Sequence, residues 1–264
     1  MKRILITNDD GFESPGIEAL VRAFRGVGEV ILVAPQEEKS CSSHSITARH
    51  PLRIREVEVG GVKGYAVEGT PADTVILALR LFDDGLIDFV ISGINRGPNL
   101  GFDVFYSGTV AAAMEAAMSG IPSLAVSLVL NNHFNYQLAA EVAVEVFETF
   151  EDLLKREKNV VLNLNVPDVP DRENLRGFSI TTLGDRFYLT RVREVESQNP
   201  GVREFILEEE KREVDFPENS DYQAVWHSRI SITPLRPNLT DFILGEELKG
   251  ILQNKGLSPI YRLK

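Results

Sequence analysis

Short apolar runs alternate with stretches of helical spacing through the first two-thirds of the sequence, and few folds accept that pattern. "RILIT" (3–7) precedes "GIEALVRAFRG", in which Ile17, Leu20, Val21 and Phe24 share one helical face. Further strands are expected at "EVILVAP" (29–35), within "GYAVEGTPAD", and at "LIDFVISG" (86–93), "PSLAVSLVL" (122–130) and "NVVLNLNVP" (159–167). Helices are expected over 71–82, over "GTVAAAMEAAMSG" (108–120) and around 137–155, the first opened by Thr70 as cap, Pro71 in the first turn and Asp73. Strands that are apolar nearly throughout are buried on both faces. The class is therefore α/β, a mostly parallel sheet with helices on both faces.

Beyond Pro167 the pattern changes to "RGFSITTL", a charge-dense segment from Asp185 to Asp215, "SRISITPL" (228–235) and a terminal helix near 240–253. "YLTRVREVESQNPGVREFILEEE" reads as two strands about a turn at "NPG", a β-hairpin arm over about 186–210 that is either a solvated ribbon or a subunit contact. The expected organisation is a core over 1–167 and a C-terminal extension over 168–264 that returns to the core around 229–235.

No apolar stretch approaches the roughly 20 residues of a membrane span, and "MKRILITNDD" reaches its acids too soon for a secretory leader. The single cysteine, Cys41, cannot form an internal disulfide. The expectation is a cytoplasmic protein with no membrane partner. A net charge of −11 opposes a nucleic-acid duplex as partner, so a small anion would need a focused positive feature, either a metal or the amide end of a helix.

In open parallel sheets ligands bind outside the carboxyl ends of the strands. Three oxygen-rich loops should emerge there: "NDDG" after the first strand, "PQEEKSCSSHS" after the second and "SGINRGPNLG" after the strand ending near Ile91. Asp9 and Asp10 repel each other unless water, a cationic side chain or a metal sits beside them. They are either a solvated turn or part of a metal site. With hydroxyls such as Ser40 and the amide of Asn95 they form a hard oxygen set suited to Mg²⁺, Mn²⁺ or Ca²⁺ rather than zinc.

Ser107, Gly108 and Thr109 open the Ala-rich helix, where free N–H groups and the dipole either bind an anion such as phosphate or are simply capped. A metal facing an anion site is the apparatus of a phosphate-ester hydrolase. Asn95 and Asn99 are amide donors or acceptors for such a ligand, or turn formers. Arg96 is either a phosphate cation or a partner of surface acids. His44 reads as a brace for its loop rather than a catalytic base, and Cys41 as a packed or incidental thiol.

"ITNDDGFESPGI", "VAPQEEKSCSSHSIT", "EGTPADTV", "ISGINRGPNLG", "YSGTVAAAMEAAMSGIPSLAVS", "LNLNVP" and "SITPL", in this order, resemble the SurE family, the survival-protein-E nucleotidases. The resemblance is dense from residue 3 to about 130 and sparser to about 240. It implies a Rossmann-like core and a divalent-metal-dependent phosphatase acting on nucleoside 5′-monophosphates, with 3′-nucleotides and short polyphosphate as further substrates. Matched residue by residue, it implies one Mg²⁺ or Mn²⁺ on Asp9, Asp10, Ser40 and Asn95. Substrate phosphate falls to Asn99, Ser107, Gly108 and Thr109, with Asn8 and Asn95 beside it, and Asp9, Asp10, Asn99 and Ser107 are the catalytic group. Water attacks phosphorus in line, direct attack by an aspartate being the second route. The family also implies a homodimer or homotetramer built through the C-terminal arm. Two positions depart from its pattern: Tyr106 stands where a histidine is common, and Arg229 where a glycine is.

Three other functions fit the fold class. A dinucleotide-dependent oxidoreductase would carry G-x-G-x-x-G in place of "NDDGFESPG". A signalling receiver would be much smaller and needs a phosphoacceptor aspartate ending a central strand. A non-catalytic nucleotide-binding regulatory module would use nearly the same residues, and is separated from an enzyme only by turnover.

Overall fold

A computed structural model describes residues 1–81, 87–185, 190–199, 201–209, 216–255 and 257. Position 82 of the expected 71–82 helix, position 86 of the 86–93 strand and positions 186–189, 200 and 210 of the arm lie outside the described residues.

The strands are β1 (Arg3–Thr7), β2 (Glu29–Pro35), β3 (Ile54–Val59), β4 (Val62–Val67), β5 (Phe89–Arg96), β6 (Ser123–Val129), β7 (Val161–Pro167), β8 (Phe178–Ile180), β9 (Thr190–Val195), β10 (Glu204–Glu209) and β11 (Ile230–Leu235). The helices are α1 (Pro15–Phe24), α2 (Pro71–Leu81), α3 (Gly108–Met118), α4 (Tyr136–Arg156), α5 (Asp221–Trp226) and α6 (Phe242–Asn254). Among the described residues one nine-stranded sheet runs in the order β3-β4-β2-β1-β5-β6-β7-β11-β8. Strands β4, β2, β1, β5, β6 and β7 are mutually parallel, while β3 and β11 run antiparallel to β4 and β7. The chain winds from β1 outward to β4 and then crosses back to β5. That reversal opens a crevice at the carboxyl ends of β1 and β5.

Alternation along each strand sorts side chains to two layers. Ile4, Ile6 and Ile91 pack against Ile17, Leu20 and Phe24 of α1 and Phe147 of α4, whereas Leu5, Val33 and Val90 meet Val75 and Ala78 of α2 and Ala112 and Ala116 of α3. Helix α3 is alanine-rich because it is buried by both the sheet and α2, leaving little room for larger side chains. Caps fix the helix starts: Ser14 Oγ accepts from Ile17 N, Ser107 Oγ from Val110 N, and Thr70 and Asp73 exchange side-chain to backbone bonds of 3.1 and 2.8 Å.

Three elements differ from the sequence expectation. Strand β5 does not end near Ile91 but continues to Arg96, with a register shift against β6 between Ser92 and Asn95. Strand β3 arises from "IREVEV", whose charges suit a sheet edge and mask the strand pattern. Helix α5 is too short to show a helical period. In the C-terminal third, β11 and β8 extend the main sheet, and β9 and β10 form a separate antiparallel ribbon with Leu207 opposite Val192. Among the described residues no helix is long and apolar enough to cross a membrane.

Asp168, one residue past β7, is buried and accepts from the backbone N–H groups of Asn131, His133, Phe134 and Asn135 at 2.8–3.0 Å. Burial raises its pKa, but the four donors together outweigh burial and hold it below the usual carboxylate value. Its contribution to stability is therefore complete above the unfolded value near 3.9 and is lost as pH falls through the lower folded value. Asp168→Ala is expected to destabilise by about 3 kcal/mol at pH 7, read by urea unfolding, with the gap to the parent closing in acid.

Candidate active site

The carboxyl ends of β1, β2 and β5 bring together Asn8, Asp9 and Asp10, the 36–40 loop, and Asn95 to Asn99. Gly11, at φ +90°, turns the chain out of β1, and a Cβ there would lie 3.2 Å from the Glu37 carbonyl carbon. Lys39 N donates to Asp9 O at 2.7 Å, which sets the 36–40 loop against the acids.

Asp9 is 4% exposed and sits at the start of α3. The Thr109 hydroxyl donates to its carboxylate. The first anion held by this helix terminus is thus Asp9 itself. The N–H of Ser107 donates to Asp103 O at 3.0 Å and its hydroxyl caps the helix. Gly108 allows the approach, since a Cβ there would lie 2.8 Å from Asp9 Cβ and 2.9 Å from Pro71 Cγ. Asp10 Oδ2 accepts from Arg96 N at 2.9 Å. The exposed Arg96 guanidinium lies over the Phe134 ring, 5.8 Å from its centre.

Burial pushes the Asp9 carboxyl upward against the Thr109 bond. Burial first, and the Asp9 charge second, raise Asp10 to about 7. Among the described residues neither acid has an ion-pair partner, and the exposed Glu38 adds a third negative charge to their surroundings. Beside them Asn8 is fully buried, with Nδ2 donating to Gly11 O (2.8 Å) and Ser14 Oγ (2.9 Å) while Oδ1 has no partner. Two uncompensated carboxylates and an orphaned amide oxygen fit a hard divalent cation. Among the described residues no group of three His, Cys, Asp or Glu side chains is placed to hold a metal, so a cation here depends on amide and hydroxyl oxygens for its remaining protein ligands.

The other expected residues occupy distinct places. Asn95 is half-buried at the end of β5, its Nδ2 donating to Gly97 O at 2.9 Å, which leaves its amide oxygen for a ligand. Ser40 is exposed and its hydroxyl donates to Glu38 Oε1 at 2.6 Å rather than to the acids. Asn99 is buried and gripped from β6 and β7: its N–H donates to Asn165 Oδ1 (2.9 Å), its carbonyl accepts from Asn163 Nδ2 (2.8 Å) and Asn165 Nδ2 (3.0 Å), and its Nδ2 donates to Ser127 Oγ (2.8 Å).

His44 braces its loop through Glu115 on α3 at 2.9 Å, and Ser43 N donates to Tyr106 O. Cys41 is exposed rather than packed, and the Tyr106 side chain is exposed as well. Sequence reasoning missed Asp221, fully buried in α5, whose carboxylate accepts from Gly101 N at 2.7 Å and Gly184 N at 2.9 Å and so ties the loop before α3 to the C-terminal extension. Its only signal in the sequence is an acid next to the apolar start of a short helix.

The family described as Survival protein SurE matches residues 4–190. The chain is 41% identical over 261 residues to the 5′-nucleotidase SurE of Heliobacterium modesticaldum, covering 97% of this chain and 94% of that protein. To the 5′-nucleotidase SurE of Geobacter sulfurreducens it is 44% identical over 245 residues, covering 90% and 89%. The crystal structure of the SurE protein from Aquifex aeolicus superposes with a TM-score of 0.81 at 35% identity, covering 94% of this chain and 99% of that one. The fold, the arrangement of acids at its strand ends and these matches agree, and this chain belongs to the SurE family.

Proposed function

We propose that this chain is a divalent-metal-dependent phosphomonoesterase that hydrolyses nucleoside 5′-monophosphates to nucleoside and phosphate. The observation that carries the reading is the adjacent carboxylates of Asp9, buried at the N-terminus of α3, and Asp10, half-buried beside it, neither with an ion-pair partner among the described residues. The relatives named 5′-nucleotidase supply the substrate class.

One Mg²⁺ or Mn²⁺ per subunit is assigned to Asp9, Asp10, Asn95 and Ser40. When bound, the cation neutralises the acids and polarises a phosphoryl oxygen. The chain's own residues do the rest. Thr109 orients Asp9, and the Arg96 N–H orients Asp10. Asn99 and the Gly108 amide face the substrate phosphate, aided by the positive end of the α3 dipole. Ser107 shapes that end through its cap, and Asn8 fixes the turn that carries both acids.

The test is phosphate release from a panel of nucleoside monophosphates, short polyphosphate and an aryl phosphate, with Mg²⁺, Mn²⁺ or chelator. Release confined to the metal-loaded protein and greatest with 5′-nucleotides is expected. Tight nucleotide binding with no release would replace the enzyme by a binding module.

The same proposal takes the chain to be a homo-oligomer joined through the β9–β10 ribbon. What supports this is the exposure of Val192, Phe205 and Leu207 on the ribbon, apolar side chains that a second copy would cover. Leu207→Asp is expected to lower the mass seen by light scattering to that of a monomer while the melting temperature of the core holds. Unchanged mass would remove the ribbon from the interface.

A further inference from the structure

The motif "LNLNVP" has no role in the chemistry described so far, yet it places two polar residues in an otherwise apolar strand. Asn163 and Asn165 are two apart on β7, so both side chains leave the same face of the sheet, and both are fully buried. In register, Asn163 stands opposite Ala125 of β6 and Thr233 of β11, and Asn165 opposite Ser127 and Ser231. A strand in this position reads as valine, leucine or isoleucine for stability alone.

Both amides converge on one residue. Asn165 pairs reciprocally with the two peptide groups flanking Asn99, accepting its N–H at 2.9 Å and donating to its carbonyl at 3.0 Å, much as a neighbouring strand would. Asn163 Nδ2 donates to that same carbonyl at 2.8 Å, and Ser127 Oγ holds the Asn99 side chain at 2.8 Å. The backbone of Asn99 is thereby fixed in both directions by side chains of β7, and its amide by β6. The Oδ1 of Asn163 has no partner, although it is buried. Stability alone disfavours such a side chain, because an unsatisfied buried acceptor is destabilising. What Asn163 supplies is its hold on Asn99.

We propose that Asn163 and Asn165, with Ser127, are positioning residues that lock Asn99 in the orientation in which it meets the substrate phosphate. The inference rests on the reading of Asn99 as a phosphate-binding residue. A loop residue held by three buried side chains keeps its amide in one orientation without help from substrate, and a displacement of about 1 Å at such a group costs about 10²-fold in rate.

The experiment uses the full-length, Mn²⁺-loaded protein and reads kcat and KM for AMP and for an aryl phosphate, together with melting curves in chelator. Asn165→Asp keeps the acceptor for the Asn99 N–H but sets an oxygen against the Asn99 carbonyl, and is expected to lower kcat about 10²-fold on both substrates. Asn163→Leu removes the orphaned oxygen. It is expected to melt at or above the parent temperature while kcat falls about tenfold. In an Asn99→Ala background, which itself loses at least as much as Asn165→Asp, neither change is expected to lower kcat further, because nothing remains to be positioned. Should Asn165→Asp fail to fold, Ser127→Ala makes the same comparison with a smaller change.

Losses that multiply in the Asn99→Ala background, or an Asn163→Leu protein that melts lower and turns over normally, would overturn the inference and leave a structural role only. A parent protein that releases no phosphate, or an Asn99→Ala protein with full activity, would instead overturn the reading on which it rests.

Discussion

Asp9→Asn is expected to abolish phosphate release, by about 10³-fold or more, while leaving a folded and slightly more heat-resistant protein in chelator. The substitution preserves shape and removes one charge from the centre of an electrostatic site. The amide still meets Thr109, whose hydroxyl bonds the Asp9 carboxylate. In chelator the parent holds a buried and a half-buried carboxylate side by side with no ion-pair partner among the described residues, and burial and repulsion disfavour their ionised forms. Removing one charge relieves that repulsion. A cation binding the native state at 100 times its Kd adds about 2.7 kcal/mol, or about 5–10 °C in a domain of this size. Melting curves with and without Mn²⁺ should show that increment in the parent and little of it in the variant. Parental turnover in a folded Asp9→Asn protein would exclude Asp9 from the metal site.

Gly108→Ala should come second in effect, through geometry rather than charge. Gly108 is the first residue of α3, where alanine is otherwise the better helix former by about 1 kcal/mol. A Cβ there would nevertheless lie 2.8 Å from Asp9 Cβ, 2.9 Å from Pro71 Cγ and 3.0 Å from Asp9 Oδ2. Neither neighbour yields easily, since Thr109 pins Asp9 and Pro71 opens α2. The expected outcome is a loss of about 10²-fold in kcat with a net destabilisation of about 1–3 kcal/mol. Gly250→Ala in α6 is the control. A Cβ at Gly250 meets nothing within 4 Å, so the substitution should be neutral or gain up to about 1 kcal/mol, and leave turnover unchanged. An active Gly108→Ala protein would show that Asp9 has more freedom than its contacts imply.

Much of the scaffold is legible in sequence because its signals are local. Ile17, Leu20, Val21 and Phe24 announce α1 at helical spacing, and all four are buried. Ser107 announces the start of α3 as its cap. The sheet rule likewise predicted that the loops after β1, β2 and β5 would converge, and they do. What failed to show were elements whose pattern is contradicted by their surroundings. Strand β3 is an edge whose charges hide its alternation, and β5 continues through "INR" because a register shift against β6 accommodates glycine and polar residues that read as loop.

The residues of the candidate site were readable as types but not as partners. Two adjacent acids after an apolar strand imply a compensating positive feature whatever the fold. That Thr109 would claim Asp9 could not be read, since those residues are 100 apart and meet only once β1 and α3 are packed. Nor could the hydrogen bond from Ser40 to Glu38, which competes with any ligand for the same hydroxyl. The asparagines of β7 show the limit most plainly. As sequence they are polar interruptions in a strand, and as structure they hold a residue 64 and 66 positions earlier.

By itself, then, the sequence determined the periodicities, the caps and the chemistry available at each strand end, because these depend on neighbours within a few residues. Strand order and register decided which donor meets which acceptor. A shift of one residue in β7 would turn Asn163 and Asn165 to the opposite face and leave Asn99 without its grip, and no local pattern encodes that choice.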